Sequence, residues 1–183
     1  MNREEALKLV RENINKENLI KHMLAVEAIM KGATEYLGEK QEKWELTGLL
    51  HDIDFGKTEN DPEHHALITE EILKDKVDEE IIRAIKSHNF EHTNVNPETK
   101  MENILIAADA VSGLIIAAAL IIPSKKLADV KVKSIKKKFK QKDFARNCNR
   151  ERMLFCERAG IPKEKFFEIC LTALQNISDE LGL

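Results

Sequence analysis

His51 and Asp52 are adjacent residues whose side chains could together bind a metal ion. They directly follow two apolar residues, Leu49 and Leu50, so we expect them to lie in a buried region. An imidazole and a carboxylate are costly to bury in an apolar setting unless a bound group compensates them. Imidazole nitrogen and carboxylate oxygen are also common ligands of divalent metal ions. The pair is therefore the first candidate for a metal centre.

Asp109 is the strongest of the other candidate ligands. It lies between alanines within the almost continuously apolar segment 104–122. A carboxylate at such a position needs a metal ion, a cationic side chain or several hydrogen-bond donors. The segment approaches the length of a membrane span, but Asp109 and Ser112 within it favour a buried central helix.

The histidines outside the His51-Asp52 pair point to a metal site less strongly. A single histidine such as His22 is more often a core or surface residue than a ligand. His64 and His65 are adjacent, so at most one of them needs to face a common site, and His92 lies in a polar stretch where we expect exposure. No cysteine lies among these candidates. The ligand types therefore suit Zn, Fe, Mn or Ni, and a structural zinc site is less favoured.

Capping signals and apolar periodicity predict the helices that must position these residues. Gly38 is expected to end the second helix in a left-handed conformation, and we find no strand pattern. The fold class is therefore predicted to be all-α. The helices are expected at about 2–11, 15–37, 44–51, 61–74, 78–88, 97–122, 125–142, 149–160 and 162–180, with polar loops at 54–61 and 89–96.

Length and composition indicate a single globular domain. The chain has 183 residues, of which 43% are hydrophobic, 33% charged and 5% aromatic. We expect one domain over 1–183, with a helical core at about 16–122 and a C-terminal helical segment, 123–183, packed on it. The net charge of −3 argues against generic nucleic-acid binding.

The cysteines and the N-terminus favour the cytoplasm. Cys148, Cys156 and Cys170 are odd in number and form no C-x-x-C pair, which is typical of reduced thiols. The charged N-terminus, 1–5, has no apolar signal core.

The segment Lys125–Lys142 contains nine lysines and a single acid, Asp129. Its apolar residues recur at helical spacing, so it is predicted to form an amphipathic helix. Lys125 and Lys126 directly follow the central helix and could contact phosphate groups of a substrate. The alternative, a lysine-rich helix face that is simply solvated, is favoured.

The ordered set His22, His51-Asp52 and Asp109 resembles the H…HD…D pattern of the HD-domain superfamily of metal-dependent phosphohydrolases. His65 and His88 look like the two further histidines of members that hold two metal ions. The chain is similar to HDIG-type predicted hydrolases of this size and to HD proteins that hydrolyse dinucleoside polyphosphates.

This chain departs from the HDIG pattern after the His-Asp pair. Where many relatives read His-Asp-Ile-Gly-Lys, Asp54 replaces the glycine, and the nearest lysine is Lys57. Thr69 stands where relatives often carry a glycine. No Gly-Tyr-Pro sequence follows, which argues against the cyclic-dinucleotide phosphodiesterases of that subclass.

The resemblance implies an all-α HD-domain bundle with additional C-terminal helices and a site for one or two divalent ions (Fe, Mn, Mg, Ni or Zn). The implied reaction is cleavage of a phosphate ester or anhydride of a small, nucleotide-like substrate by metal-activated water. Asp52 would bridge two ions, and Asp109 would be a terminal ligand. Asp54 and Lys57 would support the ligands or orient the phosphate.

Two other functions are compatible with the same resemblance. Some HD-fold proteins are di-iron oxygenases, and a decayed site could leave a nucleotide-binding regulatory module, although the intact ligand set argues against decay. The expected partner is a small phosphate substrate. A homodimer is left open, whereas nucleic acid and membrane are not expected.

Overall fold

Helices account for all of the regular secondary structure. The computed structural model describes residues 1–183 and contains no strand, which confirms the predicted all-α class. A short 3-10 turn, Leu127–Asp129, interrupts the basic segment. The α-helices are α1 (Arg3–Asn13), α2 (Glu17–Leu37), α3 (Gln41–Leu50), α4 (Phe55–Thr58), α5 (Leu67–Leu73), α6 (Glu79–His88), α7 (Phe90–Thr93), α8 (Lys100–Leu120), α9 (Val132–Lys140), α10 (Arg150–Met153), α11 (Phe155–Arg158), α12 (Lys163–Asn176) and α13 (Ser178–Leu181).

Helices α2 and α8 form the centre of the bundle. Helix α2 packs against α3, α8 and α12, and α8 also packs against α6, α9, α10 and α11. Helix α8 begins at Lys100, three residues after Pro97, because Thr99 and Glu102 form a capping box there. It is the one helix long and apolar enough to cross a membrane, but 67% of its most apolar stretch is buried within the protein. It is therefore a core helix, as predicted.

Gly48 allows α3 to pack very close to α2. A methyl group at this position would lie 2.8 Å from the backbone N and Cα of Glu27 on α2. The Glu27 carboxylate is buried and accepts two hydrogen bonds from the Arg3 guanidinium, at 2.6 and 2.9 Å. Helices α1, α2 and α3 are thereby joined around one small residue and one ion pair.

The segment 62–66 forms turns, whereas the Asp61-Pro62 sequence predicted a helix there. Helix α5 begins only at Leu67, after Ala66 adopts a left-handed conformation with φ 71°. The buried Asp54 carboxylate accepts the backbone N–H groups of Ala66 at 2.7 Å and Thr69 at 3.1 Å. A carboxylate from a distant part of the chain thus takes the capping role, and His65 lies on a turn.

Other element boundaries differ from the sequence prediction by a few residues. Helix α3 begins at Gln41 and ends at Leu50, and short helices α4 and α7 lie in the two stretches expected to be loops. Helix α2 begins after Lys16, so neither Asn15 nor Asn18 caps it. Gly38 ends it with φ 69°, as predicted.

The C-terminal segment shares the larger hydrophobic core with α8 and α2. The predicted helix over Lys125–Lys142 is shorter than expected, because the 3-10 turn precedes α9. Asn149 caps α10, and Leu154 separates α10 from α11. The Arg150 guanidinium donates to a set of backbone carbonyl oxygens that shape the connection from α9 to α10. Its acceptors are Lys138, Phe139, Gln141, Phe144, Ala145 and Cys148.

Candidate metal centre

His51 is fully buried at the end of α3 and has one unsatisfied ring nitrogen. Its Nδ1 donates to the carbonyl oxygen of Gly48 at 2.9 Å. This bond leaves Nε2 as the unprotonated nitrogen, and Nε2 has no hydrogen-bond partner in the protein. A buried polar atom without a partner is rare and indicates a missing ligand. Nε2 lies 3.4 Å from the Oδ1 atom of Asp52.

His22 on α2 and Asp109 on α8 meet on one side of this pair. The Nε2 atom of His22 lies 3.3 Å from Asp109 Oδ1 and 3.6 Å from Asp52 Oδ2. The Ser112 hydroxyl donates to the Asp109 carbonyl, so its oxygen is free to accept from Nδ1 of His22 at 3.3 Å. The ring of His22 is therefore oriented in the same way as that of His51.

His65 and His88 meet on the other side of Asp52. Their Nε2 atoms lie 2.9 Å apart, and they lie 3.3 and 3.5 Å from Asp52 Oδ1. Nδ1 of His65 donates to Asp54 at 2.8 Å, and Nδ1 of His88 donates to the Ile85 carbonyl. Two unprotonated nitrogens at 2.9 Å repel each other unless a proton or a metal ion lies between them.

The electrostatics of the metal-free cluster favour a bound cation. Burial lowers the pKa of His51 to about 4, so this ring is neutral at physiological pH. Burial would raise the pKa of Asp52, but His51, His65 and His88 together hold it well below its usual range. Burial also opposes protonation of His65, yet its hydrogen bonds to Asp52 and Asp54 raise its pKa to about 10. A proton on His65 thus occupies a place that a metal ion can take.

The donor set fits a divalent metal ion. The Nδ1 atom of each ring is hydrogen-bonded to the surrounding protein, so that Nε2 is directed toward the carboxylates. The four rings are those of His22, His51, His65 and His88. Two groups of three side chains each bring their ligand atoms within 4.8 Å of one another, and Asp52 belongs to both groups. They are His22–His51–Asp52 and Asp52–His65–His88. Neutral imidazoles with carboxylates suit Zn, Fe, Mn or Ni, so the cluster could hold a divalent ion.

Asp54 supports this cluster through its hydrogen bond to His65. Its carboxylate is fully buried and is occupied by His65, Ala66 and Thr69. It therefore cannot contact a substrate, and its role is to orient His65. This position fits the expectation that Asp54 supports the ligands, whereas it gives Asp54 no direct contact with a phosphate.

The predicted lysines do not reach the cluster. Lys57 is exposed on α4 and lines none of the three cavities next to the cluster. Lys125 and Lys126 are exposed beyond the end of α8, which continues for 11 residues, roughly 16 Å, past Asp109. The structure therefore gives these lysines no contact with the metal centre.

The two remaining histidines lie outside the cluster. His64 is exposed and pairs with Asp61 at 2.8 Å, and His92 is exposed on α7. The sequence rule that only one of two adjacent histidines faces the site holds here, because His65 does and His64 does not.

Sequence reasoning missed Arg152, which lines both cavities next to the cluster together with Asp109. The Asn149-Arg150-Glu151 capping signal predicted the helix that carries it. Nothing in the local pattern indicated that this helix faces His88, because the approach depends on tertiary packing.

Fold and site together define an all-α protein with a buried His/Asp cluster that could bind a divalent metal ion. The family model of the HD domain matches residues 19–114, just over half of the chain, so the chain belongs to the HD-domain family. The matched region contains His22, His51, Asp52 and Asp109 in the expected order. Membership points to a metal-dependent hydrolase. Neither the curated proteins nor the solved structures gave a match.

Proposed function

We propose that this protein is an HDIG-type, metal-dependent phosphohydrolase that cleaves a phosphate ester or anhydride of a small, nucleotide-like substrate. The observation that carries the proposal is the buried, unpartnered Nε2 atom of His51, which faces Asp52. His22, His65 and His88 direct their Nε2 atoms toward the same carboxylate. Such a set is costly to keep in a core without a cation.

Two ions would be held by overlapping ligand sets. His22, His51 and Asp52, with Asp109 beside them, would hold one ion, and Asp52, His65 and His88 would hold the other. When bound, the ions would lower the pKa of a water molecule and neutralise charge on the phosphoryl oxygens. The residues of the chain fix the positions at which this chemistry takes place.

The protein residues position the ligand groups and leave a cavity beside them. Asp54 keeps the His65 ring oriented with Nε2 inward, and the Gly48 carbonyl does the same for His51. Asp52, His65 and His88 line a cavity of about 210 Å³, in which a phosphate group can reach the cluster. In the overall reaction, water oxygen forms a bond to phosphorus and the bond from phosphorus to the leaving oxygen breaks. The leaving oxygen takes up the proton that the water loses.

A substrate screen after metal removal tests the proposal. Metal-stripped protein is reloaded with Mn, Fe, Mg, Co, Ni or Zn and assayed with phosphomonoesters, phosphodiesters and nucleotides. We expect hydrolysis that requires a metal and is lost in Asp52→Asn, while His92→Ala, an exposed histidine, serves as the control. Metal binding without hydrolysis of any phosphate substrate would contradict the proposal.

A di-iron oxygenase is the second candidate, because four imidazoles and a shared carboxylate also suit paired iron ions. Iron retained through purification together with consumption of oxygen would favour it. A regulatory module that binds a nucleotide would bind metal and ligand without turnover. We further propose that the protein acts in the cytoplasm, which is compatible with its three free cysteines. Whether it works as a homodimer would be determined by light scattering.

A further inference from the structure

Two small cavities flank Asp109, and both are lined by Arg152. The first, of about 210 Å³, contains Asp52, His65 and His88, and the second, of about 230 Å³, contains His22. Arg152 is the one cationic side chain of fixed charge in either lining. It belongs to α10, outside the region that matches the HD domain.

The Arg152 side chain is held firmly on one side. Its Nη2 donates to the carbonyl oxygen of His88 and to Glu91 Oε2, the latter at 2.9 Å. The guanidinium also lies over the ring of Phe90, with 5.5 Å between its Cζ atom and the ring centroid. These contacts fix the group next to the metal centre before any ligand binds.

The rest of the guanidinium has no acceptor within the protein. An arginine carries five N–H groups, and only the two on Nη2 have acceptors here. Nε is buried and unpartnered, and no carboxylate other than Glu91 lies within ion-pair distance. A positive charge with free donors beside a cavity is suited to an oxyanion.

The charge balance of the site points the same way. Asp52 and Asp109 together cancel the charge of one divalent ion, and Glu91 offsets the charge of Arg152. The site therefore becomes positive when two divalent ions are bound. A dianionic ligand gains more from such a site than a monoanionic one.

We propose that Arg152 binds the phosphate of the substrate, and that the substrate is a compact phosphomonoester with a terminal, dianionic phosphate. This inference rests on the proposed function for its reaction, but the anion site itself does not. Each of these two cavities is smaller than the ~300–1,000 Å³ of pockets that enclose drug-sized ligands, and the neighbouring cavity of about 460 Å³ at His22 and Phe55 is not lined by Arg152. Their walls add Asn147, which suits a small polar leaving group, and besides the histidines Phe55 is the one aromatic side chain.

The test measures binding of inorganic phosphate by calorimetry, with and without Mn²⁺, in the wild type, Arg152→Ala and Arg152→Lys. The control is Arg158→Ala, which removes another arginine of the same segment that lines neither cavity. We expect Arg152→Ala to weaken phosphate binding at least tenfold and Arg152→Lys to restore part of it. Arg158→Ala should bind as the wild type does. Metal content, measured by elemental analysis, should stay unchanged in all variants.

A purely structural role of Arg152 gives a different pattern. In that case Arg152→Ala would release His88 and lower the metal content. That result would overturn the proposal, as would equal phosphate affinity in the wild type and Arg152→Ala. Phosphate binding that depends on Arg152 in a protein without hydrolytic activity would uphold the anion site and reject the phosphohydrolase.

Substrate preference supplies a second, independent readout. With an aryl phosphomonoester and the matching diester, we expect turnover of the monoester and a KM that rises at least tenfold in Arg152→Ala. Faster turnover of the diester than of the monoester would overturn the assignment of the substrate class.

Discussion

The ring of His51 donates from Nδ1 to the carbonyl oxygen of Gly48, one turn earlier in α3, at 2.9 Å. The same glycine lets α3 pack close to α2, because its missing side chain leaves room for the backbone of Glu27. One residue therefore sets both the helix packing and the orientation of a candidate metal ligand.

Gly48→Ala should destabilise the protein and weaken metal binding. The added methyl group would lie 2.8 Å from the Glu27 backbone, so α3 must move away from α2. Overpacking of this kind costs about 1–3 kcal/mol, and the shift would also move His51. Thermal unfolding and metal titration measure the two effects. Gly56→Ala, whose methyl group would make ordinary contacts at 3.4 and 3.5 Å, should change neither, and a stable Gly48→Ala would contradict the packing argument.

Asp54→Asn should loosen the turn that carries His65. The carboxylate accepts hydrogen bonds from His65, Ala66 and Thr69, whereas an amide group has only one acceptor oxygen. Leaving buried N–H groups unpaired costs about 1–3 kcal/mol. We expect a lower melting temperature and loss of the metal ion nearest His65. An unchanged melting temperature together with a selective loss of kcat would instead indicate direct participation of Asp54 in the reaction.

His65→Ala and His88→Ala should each lower the bound metal from two ions to about one per chain. The reason is that both rings belong to the group on one side of Asp52, whereas His22 and His51 form the group on the other side. Elemental analysis after saturation and desalting gives the stoichiometry. If these histidines only contact phosphate, the metal content will stay at the wild-type value and only KM or kcat will change.

Metal affinity should increase with pH up to about pH 10. In the metal-free protein the raised pKa of His65, about 10, keeps this ring protonated at neutral pH. A metal ion must displace that proton, so the affinity should rise about tenfold per pH unit until the ring is deprotonated. Calorimetry at pH 8 in two buffers of different ionisation enthalpy reports the released proton directly. Equal heats in the two buffers would contradict the prediction.

The same proton also affects folding. Because the pKa of His65 is raised in the folded state, its protonation stabilises the metal-free protein fully below pH 6.5. This contribution should disappear as the pH rises from 6.5 toward 10. In His65→Ala the stability should depend less on pH over this interval.

Lys125→Ala and Lys126→Ala should leave KM and its salt dependence unchanged. Both lysines follow the C-terminal end of α8, which lies 11 residues past Asp109. Over that separation, roughly 16 Å along the helix, electrostatic interactions are screened at physiological salt. Steady-state kinetics at two ionic strengths measures this. An increase in KM would restore the phosphate contact that their position in the sequence suggested.

The sequence was sufficient to predict the residues whose cost of burial is evident locally. Asp109 stands out because it is a carboxylate in an apolar helix, and His51-Asp52 stands out because it follows Leu49-Leu50. Their convergence with His22 required the resemblance to HD domains, since spacing along the chain does not reveal which helices cross.

The features that could not be predicted depend on contacts between distant parts of the chain. The turn before α5 exists because the Asp54 carboxylate accepts hydrogen bonds from His65, Ala66 and Thr69, which follow it by eleven residues or more. The local sequence, with its strong Asp61-Pro62 helix start, contains no signal for this turn. Arg152 reaches the site only because α10 packs on α8. Lys57 was favoured by its place after the His-Asp pair, yet α4 directs it to solvent.

The match to the HD domain ends at residue 114, in the middle of α8, whereas the core around α8 continues into α9 to α12. A chain cut at that boundary would lose the wall formed by Asn147, Asn149 and Arg152 and would expose the apolar side of its own central helix. The region that the HD-domain model covers is thus smaller than the unit that folds. It holds the candidate metal ligands, whereas the wall that a ligand must pass on its way to them belongs to the rest of the chain.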